Sequence, residues 1–350
     1  MRTYGNLYGA VCSFENLYRA FCQTRRGKLS RFYCAKFAYS RENEILRLQE
    51  ELQSGGYKHG GYRFFEVFDP KLRQIQAATF KDRVVHHALC NVIEPIFERT
   101  FIYDSFACRK GKGTLLALRR CEKLARRFSG GYVLKADISK YFYSVDHKIL
   151  LGLISAKIRD KKALALCSEI IASSQDSRFR RYFPGDDLFA LSRPTGLPIG
   201  NLTSQLFSNL YLNELDKFVK HELRWRGYLR YMDDFLLFGA EKPPLHGALR
   251  RIEGFLGENL RLVLHPKKRV VLPVKSGLDW VGYRIFPDRT RIRRANIFRF
   301  RSRLGGLRAA YHGGSLPLKK IGGCVASFAG YAKWAQSARL LRRLLELETF

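Results

Sequence analysis

Three aspartates in the sequence are candidates for metal-assisted chemistry. Asp233 and Asp234 lie in the stretch RYMDDFLLFG (230–239), where two short apolar runs flank an acidic pair. That pattern predicts a strand, a tight turn and a second strand. Asp137 follows the apolar run 132–134, where a strand would pass into a loop. Taken singly, the pair could be ordinary turn residues and Asp137 could be a helix N-cap.

Electrostatics favours a catalytic interpretation of these carboxylates. Two unneutralised carboxylates ~4 Å apart repel by about 4 kcal/mol at an effective dielectric constant of 20. Hard divalent cations relieve this repulsion, and Mg²⁺ binds oxygen ligands while keeping positions open for phosphates and water. Two such ions about 3.5–4 Å apart can activate a 3′-hydroxyl and stabilise a departing pyrophosphate. The three aspartates therefore predict a nucleotidyltransferase site with two Mg²⁺ ions, for which Mn²⁺ could substitute.

The composition favours a nucleic-acid partner. Lys and Arg number 63 against 31 Asp and Glu, so the net charge is +32. Such a charge destabilises an isolated fold by self-repulsion and favours a polyanionic partner, and the 13% aromatic content offers surfaces for base stacking. A membrane surface would also attract this charge, but we find no long apolar segment and no secretory signal. The eight scattered cysteines predict reduced thiols and a cytoplasmic location.

Hydrophobic periodicity predicts the elements that would position the aspartates. An amphipathic helix is expected from residue 41, with Ile45, Leu48 and Leu52 on its buried face. A second helix is expected from Asp82 up to Pro95, because proline disrupts helices. Strands interrupted at Asp69-Pro70 are expected between these two helices. Further helices are expected over 113–128, 148–180, 201–223 and 246–260, and short strands over 262–286.

The C-terminal segment is strongly basic. Residues 289–350 contain 14 Lys and Arg but only 2 Asp and Glu, and arginines alternate with phenylalanines in RIRRANIFRFRSRL. A solvated helical face is the usual explanation of a charge run, but this surplus is too one-sided for pairing along a helix. We therefore expect a basic helical module that binds nucleic acid. Its candidate contact residues are Arg289, Arg291, Arg293, Arg294, Arg299 and Arg301.

Three motifs give the sequence a family resemblance. LKADISKYFYSVDH (134–147), GLPIGNLTSQLFSNLYLNELD (196–216) and YMDDFLLF (231–238) occur in the order and spacing of the palm motifs of reverse transcriptases. The chain resembles, over nearly its whole length, the reverse transcriptases of diversity-generating retroelements. Other matching stretches are DPKLRQI, DRVVHHAL, DSFACRKGKGT and LDWVGYRI. The resemblance implies an α+β right-hand polymerase fold, with fingers, a palm built on an antiparallel sheet, and a helical thumb.

The resemblance also implies subdomain boundaries. We expect an N-terminal extension and fingers over 1–104, with a further fingers/palm helical segment over 148–192. The palm would comprise 105–147 and 193–286, and the basic thumb 287–350. We expect no RNase H, endonuclease or integrase domain within these 350 residues.

Catalytic roles follow from the resemblance residue by residue. Asp137, Asp233 and Asp234 match the family's catalytic, metal-binding aspartates, and the backbone carbonyl of Ile138 would be a further ligand. Phe142 matches the aromatic residue that excludes a ribose 2′-hydroxyl, although a core phenylalanine is the alternative. In one departure from the pattern, Tyr143 stands where many relatives carry an acidic residue.

Substrate contacts are implied in the same way. The predicted nucleotide-binding residues are Lys71, Arg73, Phe142, Ile199, Gly200, Gln205 and Lys267. Among them, Lys71 and Arg73 would contact the triphosphate, and Lys267 or its neighbour Lys268 could protonate the pyrophosphate unless this pair is merely solvated. The predicted primer grip, for which a plain buried hairpin is the alternative, consists of Trp280, Val281, Gly282 and Tyr283.

One variant motif points to the subgroup. Most reverse transcriptases carry Gln before the second motif's Gly and Ser-Pro after it, whereas this chain has Ile199-Gly200 and Ser204-Gln205. That variant is typical of diversity-generating retroelements. Membership would imply copying of a template-repeat RNA into cDNA with errors at adenines, and mutagenic retrohoming into a variable repeat. Besides dNTPs and primer, the usual partner is a basic oligomeric accessory variability determinant protein, and the system would be bacterial, archaeal or phage-encoded.

Two classes of alternative remain open at this stage. A retron, group II intron or phage-defence reverse transcriptase would share the carboxylates but not the variant motif. A non-catalytic, maturase-like RNA-binding protein would not need the three aspartates.

Overall fold

The computed structural model describes residues 2–68, 72–173 and 181–346. The chain divides into two compact units. Unit 1 comprises Met1–Tyr103, Asp137–Arg224 and Arg250–Pro266, and unit 2 comprises Asp104–Ala136, Trp225–Leu249 and Lys267–Phe350. The predicted palm segments contribute to both units, and the predicted subdomain boundaries remain a prediction.

The N-terminal part of unit 1 is helical: α1 (Tyr8–Cys12), α2 (Phe14–Thr24), α3 (Phe32–Tyr39), α4 (Arg41–Gln53) and α5 (Phe80–Glu98). The face predicted for α4 is correct, since Ile45, Leu48 and Leu52 are fully buried. The predicted end of α5 at Pro95 is wrong, because the helix continues to Glu98. Pro95 lies in the last turn, where burial of Ile96 and Phe97 favours the helical path despite the lost backbone hydrogen bond.

An antiparallel hairpin of β1 (Tyr62–Phe68) and β2 (Leu72–Ala78) follows α4. Its tip, with the predicted break at Asp69-Pro70 and the candidate Lys71, lies outside the described residues. The register pairs Phe65 with Ile75 and Val67 with Arg73. Because side chains alternate along a strand, Arg73 and Ile75 lie on one face of the hairpin.

The rest of unit 1 contains α7 (Tyr141–Ser144), α8 (His147–Ser155), α9 (Lys161–Ala172) and α10 (Leu202–Lys217), which a π-helical turn extends to Glu222. Helices α8 and α9 begin at aspartate N-caps: Asp146 accepts from the amides of Lys148 and Ile149, and Asp160 from that of Ala163. Helix α11 (Lys242–Leu260) contributes residues to both units.

Unit 2 is built around two sheets. The larger has the strand order β4 (Tyr228–Tyr231), β5 (Asp234–Gly239), β3 (Tyr132–Asp137), β6 (Val270–Pro273). The pairs β4–β5 and β3–β6 are antiparallel. The smaller sheet is an antiparallel meander of β7 (Leu278–Trp280), β8 (Tyr283–Ile285) and β9 (Thr290–Ile292). Apolar residues of α6 (Thr114–Arg127) share one buried core with both sheets.

Three helices follow β9: α12 (Arg294–His312), α13 (Leu318–Ala332) and α14 (Ala338–Glu346). They have a core of their own, in which the rings of Phe300 and Phe328 stack with centroids 3.8 Å apart. The expected helical segment is therefore present, although β9 precedes it within the predicted thumb. Among the described residues, no helix combines the length and apolar character that crossing a membrane requires.

Candidate active site

The acidic pair lies at a tight turn between β4 and β5, as predicted. Tyr231 pairs with Asp234, so Met232 and Asp233 form a two-residue connection. Met232 has a φ of 55°, which is uncommon for a residue with a side chain. Asp233 and Asp234 are both half-buried, and Oδ1 of Asp234 is itself buried.

A buried arginine supports this turn. Arg230 is 1% exposed; its Nη1 donates to the Met232 carbonyl at 3.0 Å and its Nη2 to Ser105 Oγ at 3.0 Å. Its backbone amide donates to the Asp104 carbonyl, and its carbonyl accepts from the Phe106 amide. We did not predict this role. The signal in the sequence was a charged residue within a predicted strand. Charged residues at buried strand positions are almost always paired, so partners for Arg230 were to be expected.

Helix α6 contributes a further connection to the turn. Arg120 binds both carboxylate oxygens of Asp104, at 2.7 and 3.2 Å, and such bidentate pairs fix orientation as well as charge. The Thr114 hydroxyl lies 3.1 Å from the hydroxyl of Tyr231. The residues around the acidic pair therefore contact two other segments of unit 2, residues 104–106 and the start of α6.

Asp137 ends β3, and β3 is the neighbour of β5 in the sheet. The Asp137 carbonyl accepts from the His265 amide at 2.7 Å, and Ile138 forms an antiparallel bridge with Leu264. Helix α7 begins only at Tyr141, after Lys140 as its N-cap residue, so Asp137 is not the N-cap considered as its alternative role. Its half-buried carboxylate stands directly after the buried Ala136.

The donor set suits a hard cation in chemical terms. All predicted ligands are oxygens, and the three aspartates are half-buried. Within the described residues, however, no group of three or more His, Cys, Asp or Glu is arranged to hold a metal ion. The ligand set of Asp137, Ile138, Asp233 and Asp234 remains a prediction.

The candidate gate Phe142 lies in α7 and is half-buried. Its carbonyl accepts from the Leu197 amide at 2.7 Å, and the Val145 carbonyl accepts from Gly196 at 2.9 Å. Burial lowers the pKa of His147, whose Nε2 lies 2.7 Å from the Gly196 carbonyl oxygen. These bonds connect the first motif to the second, while the gate role of Phe142 remains a prediction.

The second motif is attached to β2. The Gln76 amide donates to the Ile199 carbonyl at 3.0 Å, and Asn201 Nδ2 donates to the Gln76 carbonyl at 3.2 Å. Gly200 has a φ of +113°, and a Cβ there would stand 2.9 Å from Ile75 Cγ2. Only glycine fits this position without strain.

Two other predicted nucleotide-binding residues lie close to this junction, Arg73 by register and Gln205 in sequence. Arg73 is exposed on the Ile75 face of β2, and Gln205 is half-buried in the first turn of α10. Lys267 is exposed and Lys268 half-buried, in the turn before β6. Their contacts with a nucleotide remain predictions.

The predicted primer grip is the β7–β8 hairpin. Trp280 and Tyr283 are each 1% exposed and belong to the core of unit 2, so Val281 and Gly282 are its more accessible residues. Both turn residues have positive φ, 41° and 94°, which is unfavourable for the β-branched Val281. The Gly282 carbonyl accepts hydrogen bonds from Asn296 Nδ2, at 3.0 Å, and from the Tyr331 hydroxyl.

The basic segment presents much of its charge to solvent. Four of the six candidate arginines are exposed: Arg291, Arg294, Arg299 and Arg301. Arg289 is half-buried, pairs with Asp288 at 2.5 Å and lies 4.7 Å from the Phe286 ring centroid. Arg293 is also half-buried and contacts Asp279 at 3.3 Å.

The exposed arginines give a prediction about RNA affinity. Replacing Arg294 and Arg301 with glutamate should lower the slope of log K against log salt by about 2, since each phosphate contact contributes about 0.9. Affinity for a primed RNA template, measured between 50 and 300 mM salt by fluorescence anisotropy, would give the slope. The control replaces Arg41 and Arg47, exposed on α4, with the same charge change. Equal slopes in both variants would place the RNA path elsewhere.

Comparison with known proteins identifies the class. Residues 59–285 match the family model described as reverse transcriptase (RNA-dependent DNA polymerase). That range contains all three motifs and the β7–β8 hairpin. The chain therefore belongs to the reverse transcriptase family, is an RNA-directed DNA polymerase, and has the predicted α+β right-hand polymerase fold. Enzymes of this class act on a template RNA and nucleotides and use divalent metal ions.

The chain is similar to several named proteins. Protein YkfC of Escherichia coli (strain K12) is 25% identical over 285 residues, which are 71% of this chain and 72% of that protein. The group II intron-encoded protein LtrA of Lactococcus lactis subsp. cremoris is 28% identical over 182 residues, 51% of this chain and only 28% of LtrA. A solved apo telomerase from Candida Tropicalis, truncated from the C-terminal domain, aligns over 71% of this chain and 60% of its own with a TM-score of 0.48 and 12% identity.

Proposed function

We propose that this polymerase serves a diversity-generating retroelement, copying a template-repeat RNA into cDNA with errors directed to adenine, for mutagenic retrohoming into a variable repeat. The observation that carries the proposal is the second motif, in which Ile199 precedes Gly200 and Ser204-Gln205 replaces the usual Ser-Pro. The proposed partner is a basic oligomeric accessory variability determinant protein, and the proposed location is the cytoplasm of a bacterial, archaeal or phage-infected cell.

The proposed roles in catalysis follow the chemistry of the residues. Bound Mg²⁺, or Mn²⁺ in its place, would activate the primer 3′-hydroxyl and stabilise the leaving pyrophosphate. Asp137, Asp233, Asp234 and the Ile138 carbonyl would hold these ions. The primer 3′-hydroxyl would give up its proton to solvent water, and its oxygen would bond to the α-phosphorus of the dNTP. The bond from that phosphorus to the oxygen shared with the β-phosphate would break, and Lys267 would give a proton to the departing pyrophosphate.

Nucleotide selection is assigned to residues around the second motif. Arg73 and Lys71 would hold the triphosphate, since guanidinium and ammonium groups both bind phosphate oxygens. The Phe142 ring would exclude a ribose 2′-hydroxyl and so favour deoxynucleotides. Gly200 allows the backbone of the motif to approach β2, because any Cβ there would meet Ile75.

The Ile199 side chain offers a physical reason for low fidelity. Its carbonyl is bonded to the Gln76 amide, so the difference between Ile and the usual Gln lies in the side chain. Gln can hydrogen-bond near the nascent base pair, whereas Ile offers only apolar contact. One such bond to a neutral partner is worth about 0.5–1.5 kcal/mol, a few-fold to roughly tenfold in selectivity. Loss of this hydrogen bond would lower fidelity without abolishing catalysis. The expectation that errors concentrate at adenine rests on the family resemblance.

We expect Ile199→Gln to lower misincorporation opposite template adenine about three- to tenfold, and opposite the other bases less. The measurement is deep sequencing of cDNA made by wild type and variant on one RNA template containing all four bases. Ile199→Leu keeps an apolar side chain and should retain the wild-type error pattern, which makes it the matched control. If Ile199→Gln preserves extension but leaves the error rate opposite adenine unchanged, this explanation of low fidelity is wrong.

Similarity to LtrA favours a second candidate, an intron-type reverse transcriptase. The same sequencing separates the two functions in the wild-type enzyme. Errors concentrated opposite adenine support the retroelement proposal, and a low error rate spread evenly over the four template bases supports the intron-type alternative.

A further inference from the structure

Lys135 contacts two functional segments at once. It lies on β3 two residues before Asp137, and alternation along the strand puts both side chains on one face, with the buried Ala136 on the other. Its Nζ donates to the backbone carbonyl of Asp279 at 2.6 Å and stands 3.5 Å from Oδ2 of Asp234. Asp234 begins β5 and Asp279 lies in β7.

We propose that Lys135 is a positioning residue that fixes the β7–β8 hairpin, and with it the primer terminus, relative to the Asp234 carboxylate. This inference rests on the proposed functions of Asp234 and of the hairpin and goes beyond them, because neither the motifs nor the family assignment gives Lys135 a role.

The two contacts differ in what they contribute. Ion pairs near the surface are weak on their own, and the side chains of Lys135 and Asp234 are 24% and 26% exposed. The short bond to the Asp279 carbonyl adds direction, because this acceptor is fixed to the backbone of a strand. An ammonium group has three donors, so one Lys can bind the carbonyl while it faces the carboxylate.

The connection continues into the basic helices. The Asp279 carboxylate lies 3.5 Å from Arg284 Nη1 and 3.3 Å from Arg293 Nε. Arg293 is the residue before α12, and its amide donates to the Gly282 carbonyl at 3.4 Å. A displacement of β7 would therefore also reach the hairpin turn and the start of α12, all within unit 2.

Positioning of this kind should affect the rate of chemistry more than binding. Reacting atoms must stand about 3–3.5 Å apart, and a misplacement of 1 Å can cost on the order of 100-fold in rate. Without Lys135, the bond from β3 to the Asp279 carbonyl of β7 is lost, and so is a cation near the Asp234 carboxylate. A purely electrostatic role would instead alter the concentration of Mg²⁺ needed for half-maximal rate, since Lys135 and a metal ion would compensate the same charge.

The test is single-nucleotide extension under single-turnover conditions with Lys135→Met and Lys135→Arg. We expect Lys135→Met to lower the maximal rate about 10- to 100-fold, with the half-saturating dNTP and Mg²⁺ concentrations within about twofold of wild type. Lys135→Arg keeps a cationic donor and should recover most of the rate. Lys242→Met is the matched control, because Lys242 lies 5.1 Å from the Tyr132 ring of the same strand and has no proposed role.

Three outcomes would overturn the proposal: a wild-type rate in Lys135→Met, a defect abolished by high Mg²⁺, or an equal defect in Lys242→Met. If Lys135→Met fails to fold by circular dichroism, Lys135→Gln takes its place, because a shorter, neutral amide cannot hold the Asp279 carbonyl as Lys does and should also lower the maximal rate without changing the Mg²⁺ requirement. Asp234→Asn is assayed in parallel. If Asp234→Asn still extends the primer, the proposed role of Asp234 is wrong. If Asp234→Asn loses extension while Lys135→Met extends at the wild-type rate, only the positioning role of Lys135 is wrong.

Discussion

Asp233→Asn should lower primer extension about a thousandfold or more while RNA affinity stays near wild type. Asparagine keeps the size of the side chain but removes the negative charge that would hold a divalent cation. A thousandfold loss corresponds to about 4 kcal/mol of transition-state stabilisation, which is in the range expected for a metal-bound leaving group. RNA affinity should persist because it depends mainly on the basic surface of a chain with net charge +32.

The measurement is extension of a DNA primer on an RNA template with Mg²⁺, together with binding of the same template. Asp137→Asn should give the same result. Asp187→Asn is the control: Asp187 is exposed and caps a short 3₁₀ turn, a role in which Asn serves as well as Asp. Wild-type-like extension in either Asp233→Asn or Asp137→Asn would remove the two-metal assignment.

Arg230→Met should destabilise the protein and reduce extension together. Met has a similar length but leaves Ser105 Oγ and the Met232 carbonyl without their buried donor. Each orphaned group costs about 1–3 kcal/mol, so we expect a loss of about 3 kcal/mol in the free energy of unfolding. For a chain of this size, that is a fall of about 4 °C in Tm. Extension should fall at least about tenfold, because the turn that carries Asp233 loses its support.

Thermal unfolding and the primer-extension assay, run on the same preparation, test this prediction. Arg226→Met is the control, because Arg226 is exposed and surface substitutions are usually within about 0.5 kcal/mol of neutral. Arg230→Lys should be intermediate, since an ammonium group cannot reproduce the two-pronged contact of a guanidinium. An unchanged Tm in Arg230→Met would contradict the assigned role of Arg230.

The parts of the fold that were predictable are those with a local signal. The burial of Ile45, Leu48 and Leu52 follows from helical spacing, and the β4–β5 hairpin follows from two apolar runs around an acidic pair. The end of α5 was mispredicted because a local rule about Pro95 was outweighed by burial of the residues after it. Strand β9 was missed because only three residues, Thr290–Ile292, form it.

The contacts of the candidate site were less accessible to sequence reasoning. Arg230 and Ser105 are 125 residues apart, and Lys135 lies 144 residues from Asp279. No periodicity connects such positions; only the folded chain brings them together. The proposed nucleotide roles of Arg73, Phe142 and Ile199 came from family resemblance, and they remain predictions because they concern a substrate.

The turn at Val281–Gly282 has a consequence for how this enzyme can evolve. The Gly282 carbonyl receives donors from Asn296 on α12 and Tyr331 on α13, residues 35 positions apart. Because the acceptor is a backbone atom, no single substitution can delete it; only a change in the shape of the turn can displace it. A Cβ at position 282 would stand 2.9 Å from the Tyr331 hydroxyl. Substitutions among the exposed arginines of α12 therefore leave these bonds between the turn and both helices in place, whereas a substitution that alters the backbone conformation of Val281 or Gly282 would disturb them.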